Sequence, residues 1–231
     1  MHTRVLASVA LALTCVAGCS APGSSSGSST TSPGGSGPGT SPGGTSPAPD
    51  GPASIPFVVS DVFVPSGFMG DAPTDFNAIK MSSDTAKCLP RQAGAKGACY
   101  SVSWTPTILA GAKSAWVGVY WQYPSNNWGA KPGKEIASGA TKVTFYAAGA
   151  KGGEAVEFLV GGVNATGGNP SLTHADTFTA NTQATLTTAW TKYEVPLNGA
   201  AYASVIGGFA WTITTSATDP VTFYVDDVQW E

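Results

Sequence analysis

The chain has 231 residues, a charged fraction of 11% and a formal net charge of −3. Neither sign gathers into a run, so the basic stripe that neutralises nucleic-acid phosphates is absent and nucleic-acid binding is excluded. Glycine, serine and threonine abound, and no helical periodicity extends beyond two turns, which points to an exported all-β protein rather than a helical one.

Residues 1–18 carry Arg4, an apolar run and then small residues, the plan of a secretory signal peptide too short to span a membrane. The sequence Val16-Ala17-Gly18-Cys19 resembles the lipobox of bacterial lipoproteins. That resemblance implies cleavage before Cys19, lipidation of its thiol and anchoring to a membrane. In the same lipoproteins Asp after the Cys marks inner-membrane retention, so Ser20 implies the outer membrane or cell surface. Residues 19–54 are almost wholly Ser, Gly, Thr, Pro and Ala, too poor in apolar surface to offset chain entropy, and read as a disordered tether with a reach of about 30 Å. Residues 55–231 remain for a single folded domain, expected to be monomeric.

Of four cysteines, Cys15 falls in the signal and Cys19 at the lipidation site. Cys88 and Cys99 are left in a compartment where thiols are oxidised, and a disulfide between them would close a loop of about 12 residues, worth about 3 kcal/mol.

Residues 57–64 are apolar and β-branched and read as a first strand, followed by a loop at residues 67–71 with two exposed-looking apolar residues, Phe68 and Met69. Residues 76–81 form a short strand. Residues 98–105 alternate, with Tyr100, Val102 and Trp104 on one side. At residues 116–124 the alternation places Val117, Val119 and Trp121 on one face and Trp116, Tyr120 and Gln122 on the other. Residues 142–148 and 155–163 read as a hairpin about the Gly-rich turn at 149–153. The Thr-rich stretch at 176–187 reads as a strand near an edge. Strands at 190–197, 205–214 and 221–230 complete about nine or ten antiparallel strands with closely spaced turns, the pattern of a β-sandwich.

The ending Phe223-Tyr224-Val225-Asp226-Asp227-Val228 resembles the closing strand of jelly-roll carbohydrate-binding modules of the galactose-binding-like superfamily. Residues 119–124, then Asn126-Asn127-Trp128-Gly129, are similar to sandwich domains of bacterial lipoproteins and glycan-degrading systems. The resemblance implies a jelly-roll domain that binds a polysaccharide or oligosaccharide and performs no chemistry. It also implies a structural calcium held by Asp226 or Asp227 with Asp61. Independently, beyond the signal the chain has one histidine, His174, with no nucleophile motif beside it. Sugar rings offer flat C–H faces to aromatic side chains and hydroxyls to amides. Trp116, Tyr120, Gln122, Asn126, Asn127 and Trp128 supply both, and form the candidate binding site. The alternative is a structural or adhesion lipoprotein whose aromatic face meets an envelope protein.

Overall fold

The computed structural model describes residues 51–164 and 172–231. The expected signal peptide, Cys19 and nearly all of the expected linker lie outside the described residues, as do residues 165–171. The chain divides into two units, Met1–Pro47 and Ala48–Glu231, and the second is the β domain.

Its strands are β1 (Phe57–Val58), β2 (Val64–Gly70), β3 (Lys80–Ser82), β4 (Tyr100–Trp104), β5 (Ala115–Gln122), β6 (Lys134–Glu135) and β7 (Lys142–Gly149). They continue with β8 (Ala155–Gly161), β9 (Thr179–Thr185), β10 (Thr191–Pro196), β11 (Ser204–Val205), β12 (Gly207–Thr215) and β13 (Val221–Trp230). Among the described residues two single-turn α-helices, α1 (Val59–Val62) and α2 (Pro73–Asn77), and a 3-10 turn at Thr85–Lys87 intervene. The first sheet runs β10-β7-β13-β4-β3, with β1 also paired to β13, and the second runs β2-β5-β12-β8-β9. Every pairing in the two sheets is antiparallel, and the chain passes repeatedly from one sheet to the other, the jelly-roll habit of a β-sandwich.

Alternation explains the core. Tyr100, Val102 and Trp104 of β4, Val143, Phe145 and Ala147 of β7, and Phe223 and Val225 of β13 face inward from the first sheet. Val117, Val119 and Trp121 of β5, Val156, Phe158 and Val160 of β8, and Phe209, Trp211 and Ile213 of β12 meet them from the second. Phe145 and Phe158 approach to 4.4 Å between ring centres across the interface. Trp104, Trp121, Trp211 and Trp230 are fully buried. Each buried side chain of this size contributes about 1.5–3 kcal/mol by leaving water, so the sandwich rests chiefly on this layer.

Four local expectations change. The first strand is broken after Val58 by α1, and β2 takes in residues 67–70, expected as loop. The stretch at 76–81 divides between the end of α2 and β3. Strands β7 and β8 do not form a hairpin: β7 pairs with β10 and β13, and β8 with β9 and β12. Both have an apolar row, and an arch lets the two rows face each other through the core, whereas a hairpin would set them side by side in one sheet.

The Cys88–Cys99 disulfide is formed. Its loop lies over the outer face of the first sheet, where Arg91 Nε and one terminal guanidinium nitrogen donate to the two oxygens of Asp226 at 2.8 and 2.6 Å. Lys96 N donates to Asp227 Oδ1 at 3.1 Å, and Trp190 Nε1 to the Pro90 carbonyl at 2.8 Å.

Candidate carbohydrate-binding face

The outer face of the second sheet can be read from its register. Trp116 of β5 stands opposite Thr214 of β12, Gly118 opposite Thr212, and Tyr120 opposite Ala210. Across the next pairings Thr212 meets Glu157, which meets Gln183, while Ala210 meets Leu159 and then Asn181. Paired residues share a face, so these side chains form rows running across the strands.

Two chemistries divide that face. At one end Thr212 Oγ1 donates to Glu157 Oε2 at 3.3 Å, and Glu157, Gln183, Thr185, Thr212 and Thr214 line a shallow trough of about 240 Å³. Trp116, half-buried, stands beside it through its pairing with Thr214. Toward the other end Tyr120, Val163, Ile206 and Ala210 form a small apolar cluster, with Met69 and Leu159 against it. Asp176 accepts from the backbone N–H groups of two members of this cluster, Ile206 and Val163, at 2.6 and 3.0 Å, and from that of Gly207 at 3.1 Å. Burial raises the Asp176 pKa, and those three hydrogen bonds oppose the shift without cancelling it. Burial, reinforced by the charges of Asp176 and Glu157, raises that of the Tyr120 phenol.

The six candidate residues therefore part company. Trp116 is half-buried on the outer face, Asn126 is exposed, and Trp128 keeps 36% of its surface. Tyr120 is 7% exposed and Gln122 fully buried, so neither is an open contact surface. Tyr120 is covered because Trp128 leans edge-on against it at 6.1 Å. Gln122 lies against the backbone of Gly67, where an added Cβ would come within 2.7 Å of its amide, and Ser66 Oγ donates to its Oε1 at 3.2 Å. Asn127 is turned inward: its Nδ2 donates to the carbonyls of Tyr123 and Lys131, and its Oδ1 accepts from Gly129 N and Lys131 N. It staples the loop instead of reading hydroxyls. Gly129, with φ at 106° and room for a Cβ closed off by the His174 carbonyl at 2.5 Å, completes the turn.

Glu157, Thr212 and Gln183, which line the trough, are not among the candidates the sequence offers, although Glu157 gives a signal. It is a carboxylate interleaved between Val156 and Phe158, and a charged residue in such an alternation must face away from the core.

The calcium expectation meets a different chemistry. A register shift in β13 between Asp226 and Gln229, with Asp227 at φ 51°, does redirect the acidic pair. Asp226, however, is 1% exposed and ion-paired to Arg91, and Asp61 is exposed. Asp227 Oδ1 accepts from Lys96 N and Gln229 Nε2. Among the described residues no group of three or more His, Cys, Asp or Glu is placed to hold a metal ion. This donor set does not fit calcium, which asks for six to eight oxygens, because a guanidinium already neutralises its central carboxylate.

No protein-family model matches the chain, and no curated protein matches it. Solved structures of similar layout include a family 11 carbohydrate-binding module of a cellulosomal cellulase of Clostridium thermocellum. The two are 13% identical, the alignment covers 77% of this chain and 95% of that one, and the TM-score is 0.44. A family 30 carbohydrate-binding module is 16% identical over 76% of this chain and 97% of its own, with a TM-score of 0.45. The Clostridium thermocellum family 11 module in complex with a β-1,3-1,4-mixed-linked tetrasaccharide is 14% identical over 71% and 86%, with a TM-score of 0.39. None of these likenesses assigns a ligand to this chain.

Proposed function

We propose that the domain is a non-catalytic glycan-binding module that presents the outer face of its second sheet to a neutral polysaccharide. The observation that carries this reading is the trough of Glu157, Thr212, Gln183, Thr185 and Thr214 beside Trp116. It is a polar, nearly uncharged recess with one half-exposed indole at its margin. Glu157 accepts from hydroxyls, the Gln183 amide both donates and accepts, and the indole offers a flat apolar face to ring C–H groups. The resemblance of the closing strand to carbohydrate-binding modules supports the same reading.

Affinity electrophoresis of the full chain through xyloglucan, galactomannan, mixed-linkage β-glucan and starch tests it. At least one polysaccharide is expected to retard the wild type. Trp116→Ala should weaken that binding by about tenfold or more, by analogy with the roughly 1–3 kcal/mol per stacked ring measured for bases. Glu157→Gln should weaken it through a lost charge-assisted hydrogen bond. Equal retardation of both folded variants would show the site to be wrong, and no retardation of the wild type by any polymer would remove the function itself.

The placement of the domain is a further part of the proposal: lipidated Cys19 tethers it to a bacterial envelope membrane through the Ser, Gly and Pro-rich segment. Cell fractionation should then find Cys19→Ala in the soluble fraction. Continued membrane association of that variant would rule the tether out.

A further inference from the structure

The described residues expose four large apolar side chains appreciably, Val64, Phe68, Leu109 and Trp128. Two of the four, Phe68 at 38% and Trp128 at 36%, line the same groove at the free edge of β2. Its remaining walls are Ser66, Phe76, Asn77, Ile79 and Asn126, its volume is about 440 Å³, and none of these residues is charged. A partly open recess with aromatic walls and a few uncharged polar groups fits a neutral ring bearing hydroxyls better than a peptide side chain of either charge or a lipid headgroup.

The groove is also held in shape. Asn126, at φ 58°, donates its backbone N–H to Ser66 Oγ at 2.9 Å, and the same hydroxyl donates to Gln122. One serine in the bulge of β2 thereby fastens the loop to the sheet, while the Asn127 hydrogen bonds fix the turn that carries Trp128. These hydrogen bonds hold the Asn126 and Trp128 side of the groove in place, which lowers the entropy cost of binding. From β2 to β8, where the trough lies, the sheet order gives three strand spacings, or about 14 Å.

We infer that the groove between Phe68 and Trp128 is a second, independent sugar site that receives a single pyranose ring, so that one domain engages glycan at two points. The inference rests on the glycan-binding reading above and adds a separate location and a smaller ligand. Two weak sites on one domain raise the apparent affinity for a long polymer through effective concentration.

The test uses saturation-transfer NMR on the full chain with the methyl α- and β-glycosides of glucose, galactose and mannose as probes. At least one glycoside is expected to contact the wild type and still to contact a Trp116→Ala/Glu157→Gln variant, in which the groove is the remaining site. In that variant its signal should fall by about tenfold when Trp128→Ala is added, on the stacking analogy used above, and should fall also when Phe68→Ser is added. Asn126→Gly keeps the backbone conformation while deleting the amide, and should weaken the same probe if Trp128→Ala does not fold. No contact with any glycoside overturns the second site. So does a bound glycoside that is lost in the Trp116→Ala/Glu157→Gln variant and retained in the groove variants. If a polysaccharide still retards the wild type in either case, the glycan-binding reading survives alone. Retention of polysaccharide binding by Trp116→Ala and Glu157→Gln, together with glycoside loss in Trp128→Ala, would instead remove the trough and keep the groove.

Discussion

The side-chain amide of Asn127 makes four hydrogen bonds, two as donor and two as acceptor, which is all such a group can make. Asn127→Ala would leave buried backbone groups without partners and should cost about 1–3 kcal/mol, read as a lower midpoint in thermal unfolding; an unchanged midpoint would show the loop to be held by other contacts. Tyr120 makes a pH-dependent claim. Its phenol is raised in the folded state by burial first and by Asp176 and Glu157 second, whereas the unfolded chain ionises near the usual value of about 10. The stability associated with the protonated phenol is therefore fully present below about pH 10 and is lost as pH rises toward the folded value. Urea unfolding across the alkaline range should show a shallower decline for Tyr120→Phe than for wild type. Tyr100, also raised by burial, acts in the same direction and leaves a residual slope; identical slopes would assign the whole effect elsewhere. The type and facing of Trp116, Tyr120 and Gln122 were legible from alternation alone. Their exposure was not, because Trp128 and Ser66, which cover Tyr120 and engage Gln122, arrive from other segments.

The disulfide loop and β13 form a coupled unit. Removing the Cys88–Cys99 bridge frees the segment that delivers Arg91, and Asp226, 1% exposed, would then face burial without its counter-charge. Loss of the bridge alone should cost about 2–4 kcal/mol. Breaking a buried pair typically costs about 3–5 kcal/mol, and Arg91→Met should cost less, about 2 kcal/mol, since the Arg91 side chain remains 27% exposed and partly screened. The two losses overlap, so a double-mutant cycle by urea unfolding should return a combined cost smaller than their sum by at least about 0.5 kcal/mol. Strict additivity would mean that the loop stays docked without its bridge. The bridge itself followed from the cysteine count and the expectation of export, yet the docking of its loop did not, because Arg91 and Asp226 lie 135 positions apart. The β7–β8 arch is a similar case: both strands were legible, and their assignment to different sheets depended on the facing of Phe145 and Phe158 across a core that local sequence does not display.

Over the whole domain charge is unevenly shared. Among the five strands of the second sheet Glu157 is the one charged residue, whereas strands of the first sheet carry Lys80, Lys142, Lys192, Glu194, Asp226 and Asp227. Binding of a neutral glycan to the second sheet should accordingly change by less than about twofold between low and high salt, since there is little charge for salt to screen. Affinity electrophoresis at two ionic strengths checks this, and a steep fall with salt would point to an anionic ligand. The sandwich class was legible because alternation recurs in strand after strand; how much of the outer face is exposed was not, since among the described residues that depends on segments distant in sequence, such as the loop carrying Trp128 over Tyr120. The same bareness has a practical side. Reagents that couple to amines find no lysine in β2, β5, β12, β8 or β9, so a fluorophore or sensor surface attached through lysine would modify the remainder of the domain and leave the strands of the second sheet chemically untouched.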